Sequence, residues 1–152
     1  MMLDILVIDD DPLFADFLKR LLVRQGHRPV GVDSASDAVR ILQALRFDLI
    51  ITDVVMPEMD GIEFIRALNT MSEPLPAVIA VTGSGLNENG TIGRIMRALG
   101  ATAVLAKPLE LKALESNLAQ IAAQRPEQEH AEGELCCCEV AESQPAYAAR
   151  LS

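Results

Sequence analysis

Five residues that lie far apart in the chain are of types that could act together on a phosphoryl group. Asp9 and Asp10 stand side by side in "LDILVIDDDP", Asp53 ends "LIITD", Thr82 ends "AVIAVT", and Lys107 follows "ATAVLA". Each comes directly after an apolar run, where a charge has no packing role of its own. Two carboxylates about 4 Å apart repel by roughly 4 kcal/mol at an effective dielectric near 20, so gathering Asp9, Asp10 and Asp53 is costly by itself. A divalent cation removes that cost. Oxygen ligands alone, with no His or Cys nearby in sequence, suit a hard ion such as Mg²⁺ that keeps several of its waters. That ion and Lys107 would neutralise phosphoryl oxygens, and Thr82 would donate a hydrogen bond to one. Positioning and charge stabilisation are most of what phosphoryl transfer asks of a protein.

Such residues meet only if the elements before them run side by side. Short apolar runs at Leu3–Ile8, Arg28–Val32, Leu49–Thr52, Ala77–Val81 and Ala103–Ala106 alternate with stretches of helical period. This is the pattern of βαβ units, which predicts a doubly wound parallel sheet of five strands and five helices. In such a sheet all strand carboxyl ends meet along one edge, at a switch point between the first and third strands, where ligands bind. Asp11 is placed to cap the first helix, with Pro12 at its first position and a stripe of Phe14, Phe17, Leu18, Leu21 and Leu22; Gly26 ends it. The second helix starts near Ser34 or Ser36 and buries Ala38, Ile41, Leu42 and Leu45. The third follows Asp60-Gly61 with Ile62, Ile65 and Leu68. The fourth is expected around Asn87–Leu99, with Ile92, Ile95, Met96 and Leu99 inward. It carries Gly90 and Gly93, and Gly83 and Gly85 precede it, so this segment should be the least rigid part of the domain. The fifth begins near Glu110 and shows Leu111, Leu114, Leu118 and Ile121.

Composition narrows the function further. The 152 residues suffice for one domain plus a tail, and with only 3% aromatic residues the core must be aliphatic, as for helices on a parallel sheet. A net charge of −9, with no basic patch among 13 Lys and Arg, argues against a nucleic-acid surface. No leader pattern and no apolar run near the roughly 18 residues needed to cross a bilayer make the cytoplasm the expected compartment, with no membrane partner. From Arg125 the chain changes character. Residues 125–152 hold six acidic against two basic residues and no sustained period, and are expected to be a largely disordered tail after a domain of residues 1–124. The triplet Cys136, Cys137 and Cys138 is neither a disulfide framework nor a metal knuckle, and its plainest reading is a passive part of that tail.

The segments "VIDDDP", "DVVMPEMDG", "VTGSG" and "AKP", in this order and spacing, resemble the response-regulator receiver domains of two-component signalling over about residues 3–123. The resemblance implies a flavodoxin-like (βα)5 fold with strand order 2-1-3-4-5. It implies that Asp53 is the phosphoacceptor and that Asp9, Asp10 and Asp53, with the Val55 backbone carbonyl, hold Mg²⁺, Asp10 directly and Asp9 partly through water. Thr82 would be the switch hydroxyl, and Lys107, before a cis peptide to Pro108, the phosphate-binding cation. Pro57 and Gly61 would shape the loop after the acceptor. Many receivers carry Tyr or Phe three residues before the lysine, where Val104 stands here; Leu109 after the proline is likewise not aromatic. Any switch must then act through the Gly83–Gly93 segment and the fourth helix.

The resemblance implies a signalling switch phosphorylated by a sensor histidine kinase or a histidine phosphotransfer protein, which slowly removes the group itself and is no enzyme on other substrates. It would act through protein contacts at the fourth helix, fifth strand and fifth helix, or as a relay, as a monomer or a dimer formed on activation. The 28 residues after Gln124 are too few for a DNA-reading domain. An alternative is a haloacid-dehalogenase-type phosphatase, whose hhhhDxD opening "VIDDDPLF" also fits, with Asp9 as nucleophile and Asp11 as general acid. Such enzymes need a further acidic metal motif after the lysine, and only Glu110 and Glu115 precede the tail. A phosphorylation-independent binding module with the same fold is the third reading.

Overall fold

A computed structural model describes residues 2–55, 61–71, 75–83 and 90–124. Pro57, Asp60, Gly85, the expected helix start at Asn87 and the whole of residues 125–152 with their cysteines lie outside the described residues. Ten elements alternate strictly. They are β1 (Asp4–Ile8), α1 (Pro12–Arg24), β2 (Arg28–Val32), α2 (Ala35–Ala44), β3 (Leu49–Asp53), α3 (Gly61–Asn69), β4 (Ala77–Thr82), α4 (Thr91–Ala98), β5 (Ala103–Ala106) and α5 (Leu111–Gln124). All pairings are parallel, as the alternating pattern predicts, and the strand order is β2-β1-β3-β4-β5, as the resemblance implies.

The period of two along each strand divides the core into two layers. In β1, Leu6 and Ile8 face the layer closed by α2, α3 and α4, with Ala38, Ile41, Phe64, Ile65 and Met96. Ile5 and Val7 face the layer closed by α1 and α5, with Leu18, Leu22, Leu114, Leu118 and Ile121. Both faces of the central strands are therefore dry, and their polar residues are confined to strand ends.

Helix ends follow local chemistry. The Asp11 side chain accepts the Leu13 N–H at 3.0 Å, and Pro12 opens α1 where no N–H is needed. Ser34 caps α2 through the Asp37 N–H at 3.2 Å. Gly26 follows α1 at φ +88° and Gly100 follows α4 at φ +111°, conformations that cost other residues strain.

Three expectations are corrected. Gly90 is the N-cap of α4 and not an interior residue, so only Gly93 weakens the helix itself. Phe17 is 52% exposed: at 100° per residue it sits about 130° round from the centre of the buried arc of Ala15, Leu18 and Leu22, and the small Ala15 takes the inward place. Ile95 and Leu111, expected to face inward, are 36% and 46% exposed; Leu111 is the first residue of α5, and Met96 alone of the α4 side chains is fully buried in the core.

Candidate functional site

The site grows out of the carboxyl ends of β1, β3, β4 and β5. Asp9 is the first residue past β1, and its N–H still donates to the Val32 carbonyl of β2 at 3.2 Å, so it is held as firmly as the strand. Asp53 is the last residue of β3, paired in register with Val81 of β4. Next to it the Val54 N–H donates to the Val81 carbonyl at 3.0 Å. Thr82 closes β4, and Lys107 follows β5, its N–H donating to the Thr82 carbonyl at 2.8 Å. The Lys107–Pro108 peptide is cis. Gly61, at the start of α3, passes so close to β3 that an added Cβ would lie 2.9 Å from the Asp53 carbonyl oxygen. Only glycine fits there.

Carboxylate oxygens of Asp9, Asp10 and Asp53 lie within 4.8 Å of one another. Asp9 and Asp53 are 3% and 8% exposed and Asp10 is exposed, so the cluster opens to solvent on the Asp10 side. The Lys107 ammonium donates to Asp9 Oδ2 and Asp53 Oδ2, each at 3.2 Å, and stands 4.2 Å above the Phe14 ring. Backbone N–H groups assist the carboxylates. Asp11 donates to Asp9 Oδ1 at 2.8 Å, and Val55 to Asp53 Oδ1 at 3.3 Å.

Three carboxylates against one ammonium leave a surplus of negative charge, in a pocket that is partly desolvated. Burial pushes the Asp9 carboxyl above its ordinary range, outweighing the Asp11 N–H and Lys107, while Asp53 pushes in the same direction. For Lys107, burial works against the ammonium, yet attraction to Asp53 and Asp9 prevails and holds its pKa above the usual value. The donor set is entirely oxygen, clustered and over-charged, which fits a hard divalent cation such as Mg²⁺.

The structure thus brings together four of the five expected side chains, Asp9, Asp10, Asp53 and Lys107. Thr82 ends the neighbouring strand, fully buried, and its hydroxyl donates to the Leu105 carbonyl at 3.4 Å, long for an O–H···O bond. Val55 lies two residues beyond Asp53 and is 61% exposed. Sequence reasoning treated Phe14 only as core and missed it as a neighbour of the ammonium. The available signal was its place on a helix that starts beside Asp10, one turn on. Asp11, by contrast, is spent as a helix cap, as expected.

This is a doubly wound α/β domain with an acidic pocket and a lysine at its switch point, where folds of this class bind ligands. Comparison narrows that class. The family model for the response regulator receiver domain matches residues 5–119. The chain is 34% identical over 112 residues to the response regulator protein FleR of Pseudomonas aeruginosa, covering 72% of this chain and 22% of that protein. It is 37% identical over 124 residues to the sensor protein EvgS of Escherichia coli, covering 78% of this chain and 10% of that one. The fold matches the chemotaxis response regulator CheY4 of Vibrio cholerae with a TM-score of 0.70 at 26% identity, over 80% of this chain and 99% of that structure. This chain belongs to the response regulator receiver domain family of two-component systems. It spans about a tenth to a quarter of the length of the curated relatives it matches. Among the described residues no helix is long and apolar enough to cross a membrane.

Proposed function

We propose that residues 1–124 form a phosphorylation-activated switch whose acceptor is Asp53. The carrying observation is the pocket in which Asp9, Asp10 and Asp53 crowd together with Lys107 bridging two of them at 3.2 Å. Mg²⁺, held by Asp9, Asp10, Asp53 and the Val55 carbonyl, would supply charge neutralisation at the phosphoryl oxygens. An Asp53 carboxylate oxygen attacks the phosphorus of a phosphohistidine on a sensor kinase or phosphotransfer protein. The P–N bond breaks, and its electron pair returns to the imidazole. Lys107 keeps its proton and donates a hydrogen bond to a non-bridging oxygen. Hydrolysis of the resulting acyl phosphate resets the switch, in a cytoplasmic protein that acts on no other substrate.

The donor protein has to reach Asp53 over the rim of the sheet. The first half of α1 begins beside Asp10 and exposes Leu13 and Phe17, 82% and 52% accessible, which supports this rim as the face the donor covers. Readout would start at Thr82. Its long bond to the Leu105 carbonyl is weak enough to be exchanged for a phosphoryl oxygen, releasing β5. Val104 lies in the same core cluster as Met96 of α4, so a shift of β5 is passed to α4 by packing and needs no swinging ring. The protein target that reads this surface, directly or as the next step in a relay, follows from the same reading.

Incubation with Mg²⁺ and acetyl phosphate, followed by intact mass, tests the proposal. One phosphoryl adduct is expected, absent in Asp53→Asn. No adduct on the unaltered protein, or an undiminished one in the variant, would refute it. The phosphatase alternative has less support, because the Asp11 carboxylate it needs as general acid is engaged at the start of α1.

A further inference from the structure

We infer that Phe14 is a positioning residue that holds the Lys107 ammonium over the acidic pocket with the face of its ring, an inference that rests on reading Asp53 as the phosphoacceptor. The Lys107 Nζ lies 4.2 Å from the ring centroid, well inside the roughly 6 Å over which a cation is attracted to an aromatic face. The ring is itself fixed. Phe14 packs against the α1–α5 core layer, and its centroid is 6.4 Å from that of Phe17 at a tilt of 44°. Below it the helix start is set by the Asp11 cap and Pro12, so the distance from the ring to Asp9 and Asp10 is settled by local geometry.

A lysine ammonium has three N–H donors on a flexible stem, and two of them are directed at Asp9 and Asp53. The ring attracts the charge without accepting a hydrogen bond in the ordinary sense, which leaves a donor for a phosphoryl oxygen. Asp9 and Asp53 also serve as the proposed metal ligands, so their hold on the ammonium changes when the site is loaded. Neither a cation nor a phosphoryl group competes for the ring. Phe14 therefore keeps Lys107 at the same height above Asp53 while its carboxylate partners change. In transfer from acetyl phosphate, an Asp53 oxygen bonds to phosphorus, the bond from phosphorus to the acetyl oxygen breaks, and its electron pair leaves with acetate. Lys107 stays protonated throughout, and Phe14 touches no reacting atom.

The test compares the rate of adduct formation from acetyl phosphate with Mg²⁺ in the unaltered protein, Phe14→Leu, Phe14→Met and Phe14→Tyr, each shown by melting to be folded. Leu and Met keep apolar bulk and lose the ring; Tyr keeps it. The expected result is about fivefold slower phosphorylation in Leu and Met, roughly 1 kcal/mol at 1.36 kcal/mol per tenfold, with recovery in Tyr. A spectroscopic reading accompanies it: the NMR signal of the Lys107 ε-methylene, shielded by the ring, moves downfield in Leu and Met and stays put in Tyr. Unaltered rates and shifts in Leu and Met, or an equal loss in Tyr, would overturn the role of Phe14. No adduct on the unaltered protein would instead remove the site reading beneath it.

Discussion

The two edges of the sheet carry similar residues and treat them in opposite ways. At the amino edge, Asp4 and Asp48 each have local partners. Arg28 Nε lies 2.8 Å from Asp4 Oδ1, and the Asp4 N–H donates to Asp48 Oδ2 at 2.8 Å. Each contact there ties one strand to the next. At the carboxyl edge three carboxylates gather around a single ammonium, and the desolvation of Asp9 is not fully compensated. A folded protein has no need of such an imbalance, since charges buried without full pairing lower stability. What separates the two edges in this molecule is the burial of carboxylates at one of them, against partly exposed pairing at the other.

The largest expected effect separates the edges outright. Asp53→Asn should abolish the phosphoryl adduct, and a chelator should do the same to the unaltered protein, whereas Asp48→Asn should leave its yield unchanged; loss of the adduct in Asp48→Asn would dissolve the distinction.

Next in size is the cost of burying Asp9. Asp9 has a raised pKa in the folded state, so the folded form binds its proton more tightly than the unfolded one. Stability from this group is therefore highest below the ordinary value of 3.8 and is lost as the pH rises through the folded value. At pH 7 with chelator present, Asp9→Asn should melt a few degrees higher than the unaltered protein and gain less from added Mg²⁺. Thermal melts with and without Mg²⁺ check both, and a lower melting point for the metal-free variant would show that pairing with Lys107 outweighs burial.

The amino edge should respond in the reverse sense. Arg28→Ala should lower stability by about 0.5–1 kcal/mol, the scale of a partly exposed ion pair, without slowing phosphorylation. Denaturant titration and the acetyl phosphate assay measure the two halves of that expectation.

The smallest effect lies beside it. The Leu3 N–H donates to His27 Nδ1 at 3.2 Å, and burial holds the His27 pKa below its ordinary 6.5. A base depressed in this way leaves stability intact above the unfolded value of 6.5 and withdraws it as the pH falls from there through the lower folded value. His27→Gln should flatten the stability profile between pH 7 and 5, and an unchanged slope would remove His27 as its source.

Much of this was legible beforehand, for reasons that differ by residue. The strands could be read because both faces of a parallel sheet are buried, so "ILVI", "LII" and "AVIAV" appear as unbroken apolar runs. Ser34 and Asp11 announced their helices because caps depend on neighbours two or three residues away. Phe17 and Leu111 were misplaced because a helical stripe is wider in sequence than the arc a neighbouring layer covers. Phe64, fully buried in the core, went unnamed for the opposite reason, because the covered arc of α3 is wider than the stripe of Ile62, Ile65 and Leu68. Gly90 was read as lying inside α4, since a glycine gives the same signal inside a helix and at its cap.

By itself the sequence determined that carboxylates, a hydroxyl and a lysine would stand at strand ends, because local patterning specifies where apolar runs stop. It could not determine which partners those groups would meet. That Lys107 divides itself between Asp9 and Asp53, that Phe14 lies under its charge, and that Thr82 rests on the Leu105 carbonyl depend on side chains from four strands and a helix converging at one edge. Such contacts span 23 to 98 residues of chain. Only packing of the two core layers against the twisted sheet brings them within hydrogen-bond reach.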